Sequence, residues 1–380
     1  GYYNIEQGKN MNNNGLTKKD SLAMKGIAII IMVFHHLFCE VSRFENYDVS
    51  FAPFSQDFVV SVSLMMKICV SIFAFITGYG LLKSIAKTPL DRSSVFKWNI
   101  TRLLKTMSGF YFVYVITFVT TQLLSGLPMK AYFSGSKIKG ILYVLADFSG
   151  LSALFGTPKL IGTWWYMSAA VIFILLVPII YSVSKKIGYL PVVAVVIILP
   201  RLLNVGYPGG INPYSFILPM VFGMIFSDYN LFEKLNTMKP KNKTAAYITD
   251  FIFFGLSVVF FYFVSINFKT SEAWEILFGV SPVFFICFCR YCIIRIPVLK
   301  TILEYLGKHS FTLFLTHSFI RYTYLNEFTY SFGNFMVIFI VLFILSLLLA
   351  VVIDFIKQLV QYDKLINKLI ISINKKVGSE

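Results

Sequence analysis

Lys25 and His36 stand eleven residues apart in residues 20–38, a stretch whose middle, Gly26 to Val33, is apolar. On a helix that spacing is three turns plus about 20°, so both side chains share one face, roughly 16 Å apart along the axis. A titratable imidazole inside an apolar span is costly to hold, which marks it as a functional candidate. In a dry site an imidazole can act as a general base and take the proton of a hydroxyl. The competing reading is a histidine packed against a neighbouring span. For His36, in phase with Lys25, the functional reading is preferred. For His35, rotated by about 100°, packing is preferred. Lys25 suits the phosphates of a nucleotide-bearing donor, or equally an anchoring role at the membrane surface.

Other polar residues fall near span ends. Arg102-Leu-Leu-Lys105 places two cations at i, i+3 on one helix face. That arrangement suits a phosphate or pyrophosphate, and equally the basic flank of a span. Thr77-Gly78-Tyr79-Gly80 closes an apolar run, where glycine permits close approach of a helix or a ligand. His317 is the second histidine well inside a span and the second candidate for a polar role. Trp164 and Trp165 read as an interfacial aromatic belt. Lys67 sits within an apolar run without an assigned role. Cys39, Cys69, Cys287, Cys289 and Cys292 read as small packing residues, because their spacing matches no zinc pattern. No triad spacing, phosphate loop or metal-binding helix motif is present, so no metal site is expected.

These residues must be positioned by membrane helices. The chain of 380 residues is 57% hydrophobic and 14% charged, with 40 Phe. A soluble domain is nearer 45–50% apolar. The net charge of +16 is concentrated in short loops between spans, as the positive-inside rule expects, so nucleic acid is not an expected partner. The first apolar run lacks a small-residue cleavage site and is expected to remain as a span.

The expected fold class is an all-α integral membrane protein with a bundle of about ten transmembrane helices and both termini cytoplasmic. Residues 1–20 read as a polar cytoplasmic tail, 21–356 as the transmembrane domain and 357–380 as a basic cytoplasmic tail. Residues 1–10 precede Met11 and are left out of the fold reading. The spans are placed at about 21–39, 58–82, 107–125, 162–183, 189–203, 214–228, 246–267, 274–293, 310–325 and 333–356. With this topology most of the 34 Lys and Arg lie on the cytoplasmic side. The loop Gly206-Tyr-Pro-Gly-Gly-Ile-Asn-Pro213 is rich in turn residues. The connection 126–160 is long for a compact protein, which points to function, and its apolar part, 140–155, reads as re-entrant or interfacial.

Several stretches, in order, resemble the membrane acyltransferase-3 family, integral-membrane acyltransferases of bacterial surface glycans. Lys25 and His36 match an Arg/Lys-x10-His motif in the first span. Phe73-Ala-Phe-Ile-Thr-Gly78-Tyr resembles the FFxxSGF end of the second. Arg102-Leu-Leu-Lys105 resembles Arg-x-x-Arg before the third. Trp164-Trp-Tyr-Met resembles the WFL start of a middle span. Leu306-Gly-Lys-His-Ser-Phe-Thr-Leu-Phe-Leu-Thr-His317 resembles LGxxSxxxYLxH near the end. The sequence departs from the family pattern at Lys25 and Lys105, where Arg is usual, at Ser71, where many members have Asp, and at Thr77, where Ser is usual.

The resemblance implies an O-acyltransferase of the bacterial plasma membrane, with no bound cofactor. Its donor would be acyl-CoA, with acetyl the expected group, and its acceptor a hydroxyl on a sugar or glycolipid at the outer face. It implies His36 as catalytic base and Lys25, Arg102 and Lys105 as donor-side cations. His35, Gly78, Trp165 and His317 are candidates for supporting roles. The rival readings are a glycolipid or polysaccharide transporter, disfavoured by the lack of an inverted repeat, and a non-catalytic membrane scaffold.

Overall fold

The computed structural model describes residues 15–203, 212–267 and 275–377. The polar N-terminal stretch before Gly15, most of the Gly206–Pro213 loop and the start of the span expected at 274–293 lie outside the described residues.

Among the described residues the architecture is helical, apart from one isolated parallel bridge between Ser50 and Asn334. The helices are α1 (Lys18–Phe38), α2 (Gln56–Met65), α3 (Ile68–Ile85), α4 (Arg92–Ser125), α5 (Leu127–Tyr132), α6 (Lys137–Phe148), α7 (Ser152–Phe155), α8 (Trp165–Ile187) and α9 (Tyr189–Leu202). They continue as α10 (Ile217–Asp228), α11 (Leu231–Thr237), α12 (Lys243–Asn267), α13 (Ser281–Phe288), α14 (Pro297–Ser318), α15 (Asn326–Tyr330), α16 (Phe335–Leu359) and α17 (Tyr362–Val377). Wider π turns occupy Glu275–Val280, Cys289–Ile293 and Phe319–Tyr324.

Among the described residues seven helical segments are long and apolar enough to cross a membrane, or eight if the pair Pro213–Asp228 and Leu231–Thr237, bent by 60°, is one span. Their outer faces carry bare apolar side chains, such as Phe251 and Phe260 on α12 and Leu348 and Phe355 on α16. In water such a surface would aggregate, whereas lipid accepts it. The chain is a multi-pass membrane protein. Two of the ten expected spans take a different form. Residues 189–203 make the short apolar helix α9, and residues 310–325 are the second half of α14 and its π turn. The first half of α14 carries Lys300, Glu304, Lys308 and His309, so its composition is mixed.

α1 and α14 run parallel and nearly in register. At one end the buried Asp20 carboxylate accepts from Lys300 Nζ at 2.7 Å and lies 3.7 Å from Arg290. The same carboxylate completes the capping box of α1 with Thr17. At mid-length the backbones touch. A Cβ on Gly26 would overlap the carbonyl of Leu303, and one on Gly307 would overlap that of Leu22. A second crossing of this kind joins α3 and α10, where Gly78 lies against Met220 and Gly223 against Phe75. Small residues that let helices approach this closely are the usual glue of membrane bundles.

Several boundaries moved. The span expected at 107–125 is the second part of α4, whose 34 residues extend about 51 Å, more than a bilayer core is thick. Its third and fourth turns carry Arg102 and Lys105. The sequence after α16 folds as α17 and returns to α4, with Tyr362 donating to the Ser108 carbonyl at 3.0 Å and Asn374 to Thr101 at 3.0 Å. The tryptophan pair is not an interfacial belt. Trp164 is fully buried and its indole N–H donates to the Leu315 carbonyl of α14 at 2.9 Å. The ring supplies apolar bulk and the N–H satisfies a carbonyl close to the α14 terminus, where the ladder widens into a π turn.

The glycine contacts give a stability test. Gly307→Ala is expected to force α1 and α14 apart and destabilise the protein by about 1–3 kcal/mol. Gly80→Ala, on an open helix face, is expected to be neutral or to stabilise by up to about 1 kcal/mol. Thermal unfolding of both variants in detergent checks the difference.

Candidate active site

A cavity of about 1100 Å³ lies between α1, α3, α8 and α14. Its wall includes Lys25 and His36 of α1, so the two residues that share a helix face also share one internal space. Between them the wall is largely apolar, with Met32, Val70, Phe73 and Phe314. Lys25 is half-buried and makes no hydrogen bond or ion pair among the described residues.

Three imidazoles meet at the far end. The rings of His35 and His36 are 5.2 Å apart between centroids, and those of His36 and His317 are 5.0 Å apart. The outer two are fixed by carbonyls. His35 Nδ1 donates to the Ser63 carbonyl of α2 at 2.7 Å, and Ser63 Oγ returns to the carbonyls of Phe34 and His35. His317 Nδ1 donates to the Phe314 carbonyl at 2.8 Å, and the Ser318 hydroxyl donates to its Nε2 at 3.2 Å. A carbonyl can only accept, so in both rings the proton sits on Nδ1. His36 differs: its ring makes no hydrogen bond among the described residues and borders the cavity. Its backbone carbonyl accepts from Arg43 at 2.5 Å.

The long connection 126–160 forms one wall. Leu127, Leu160, Ile161, Gly162 and Thr163 face the cavity. Leu160 is held by Asp147 at the end of α6, which is buried. Its carboxylate accepts from the Tyr132 hydroxyl, from Ser152 Oγ at 2.9 Å and from the Leu160 backbone N–H at 2.7 Å. Tyr132 in turn contacts Tyr114 of α4 at 3.1 Å between hydroxyl oxygens. Burial holds the Asp147 carboxyl above the usual carboxylate range despite these donors. The apolar part of the connection is therefore two short helices, α6 and α7, locked onto the bundle by one carboxylate.

The other sequence-selected residues are placed as follows. Trp165 lines the cavity beside Tyr166. Gly78 does not line it and serves the α3–α10 crossing. Arg102 hydrogen-bonds Ser84 at the end of α3 and lies over Trp98, whose own N–H donates to the same hydroxyl at 2.9 Å. Neither Arg102 nor Lys105 is on the cavity wall, but Thr106, the next residue of α4, is. The two α4 cations thus lie off the wall, within a turn or so of a residue that lines it. His35, expected to face away from His36, does turn toward α2 for its hydrogen bond, yet its edge also reaches the cavity. Between α2 and α3, Lys67 reaches the cavity wall on the same side.

Sequence reasoning did not select Arg43, Arg321 or Asp147. Arg321 follows His317 by four residues, the spacing that puts two side chains on one helix face.

Among the described residues no group of three or more His, Cys, Asp or Glu is arranged to hold a metal. The fold and the cavity define a helical membrane protein with a histidine-lined internal cavity. A family model described as an acyltransferase domain, acyltransferase-3, matches residues 22–355. The chain belongs to this family and is an acyltransferase. No curated protein and no solved structure matches it.

If Asp147 holds the wall, Asp147→Ala should lower unfolding stability by about 3 kcal/mol or more, because three buried donors lose their acceptor. Tyr132→Phe, which removes one donor and keeps the ring, should cost about 1 kcal/mol. Melting curves in detergent read both effects.

Proposed function

We propose that the protein moves an acyl group, with acetyl the expected one, from acyl-CoA to a hydroxyl of a sugar or glycolipid, and that His36 is the general base. The donor is expected from the cytoplasm, at the Lys25 end, and the acceptor from the outer face of a bacterial plasma membrane. The observation that carries this reading is the single cavity joining Lys25 to His36. An extended pantetheine arm suits a channel of this length. Lys25 would meet the donor where the arm enters. Arg102 and Lys105, just outside, would meet the nucleotide phosphates as a planar and a point charge respectively.

The step balances with the groups on the wall. The free His36 nitrogen takes the proton of the acceptor hydroxyl as its oxygen attacks the thioester carbonyl. The C–O bond forms, the tetrahedral intermediate collapses and the C–S bond breaks. The departing thiolate takes the proton back from the imidazolium and leaves as CoA thiol. His317 packs on the His36 ring and is a positioning residue in this scheme, as is His35 through its tie to Ser63. Family membership favours this reading over the carrier one.

Label transfer from radioactive acetyl-CoA, measured with purified protein in liposomes, tests the assignments. His36→Ala is expected to lose at least about 100-fold in kcat, in the range for removal of a general base. Full transfer by that variant would remove His36 from the role. Lys25→Gln is expected to raise KM for acyl-CoA about ten-fold with a smaller change in kcat. An unchanged KM would count against donor contact at Lys25.

A further inference from the structure

Arg321 sits in the π turn after α14, lines the cavity and is only 7% exposed. Its Nε is buried and has no hydrogen-bond partner. Tyr330 meets the guanidinium, and the Tyr330 hydroxyl is itself engaged with the Leu37 carbonyl at 3.0 Å. No carboxylate pairs with Arg321 among the described residues. The surroundings make this deficit larger. The cavity wall carries Lys25, Arg43 and Arg321 beside a single carboxylate, Glu40. Glu40 is already bound to Arg43 at 3.0 Å.

A buried cation without a counter-ion is costly, and the cost is met when a ligand supplies the charge. A guanidinium binds a carboxylate or phosphate through its planar donor fork. We propose that the His36 end of the cavity binds an anionic group on the acceptor, a sugar carboxylate or phosphate, with Arg321 as its main contact and Arg43 beside it. This rests on the acyl-transfer reading of the same cavity and names its acceptor class. The donor's phosphates are a poor fit for Arg321. With the thioester at His36, the pantetheine arm carries them toward Lys25, in the opposite direction.

The test uses wild-type protein in phosphatidylcholine nanodiscs and three probes: methyl glucuronide, glucose 6-phosphate and methyl glucoside. At least one anionic sugar is expected to bind ten-fold or more tighter than the glucoside, and the tighter of the two identifies carboxylate or phosphate. Arg321→Gln should remove that preference, Arg321→Lys should retain part of it, and both should bind acyl-CoA as wild type does. Equal binding of all three probes, no binding of any, or a preference that survives Arg321→Gln overturns the proposal. The wild-type comparison decides even if Arg321→Gln does not fold. Failure of the acyl-transfer reading would show separately, as acyl-CoA left intact by wild type while the sugar preference remains.

Discussion

At the crossing of α1 and α14 there is no room for a side chain. Gly26 and Gly307 each lie against a carbonyl of the other helix, and Asp20 ties the helices to each other through Lys300. Because the two helices run parallel, this contact also sets what meets further along them. Eleven residues beyond Lys25 and ten beyond Gly307, His36 and His317 arrive ring against ring. A shift of one residue along either helix would turn its histidine by about 100° and dissolve the pair. The register of the site is thus fixed by backbone contact well away from the chemistry.

The cavity is the space left where α8 and the 126–160 connection stand back from that pair. Its apolar middle and charged ends divide the labour. The fold commits His35 and His317 to carbonyls and leaves His36 without one, so one imidazole of three has a ring free for a substrate. The connection 126–160 is more than a linker, since Asp147 ties Tyr132 and Ser152 to Leu160, which lines the cavity.

Much of this was legible in the chain. The apolar runs marked most of the membrane helices, because a lipid-facing helix needs an unbroken apolar surface. The eleven-residue spacing placed Lys25 and His36 on one face, because helical periodicity is local. What escaped was set by tertiary contact. The π turn carrying Arg321 and the inward turn of Trp164 depend on α14 and its neighbours, and nothing local signals them. Gly78 read as either packing or ligand approach, and α10 decided for packing. The motif marks Arg102 as a cation for the donor side, and its place beside Ser84 and Trp98, off the cavity wall, is set by tertiary contact. The mixed charge in the first half of α14 hid a helix whose second half the bundle buries.

The claim that most depends on all of this is that donor and acceptor meet at His36 through the Lys25 channel. A structure with a non-hydrolysable thioether analogue of acyl-CoA bound tests it most directly. The account expects the pantetheine arm to pass Lys25 and the thioether sulfur to lie within about 4 Å of the His36 ring, near-attack distance. An arm bound outside the cavity, or a sulfur remote from His36, would contradict it.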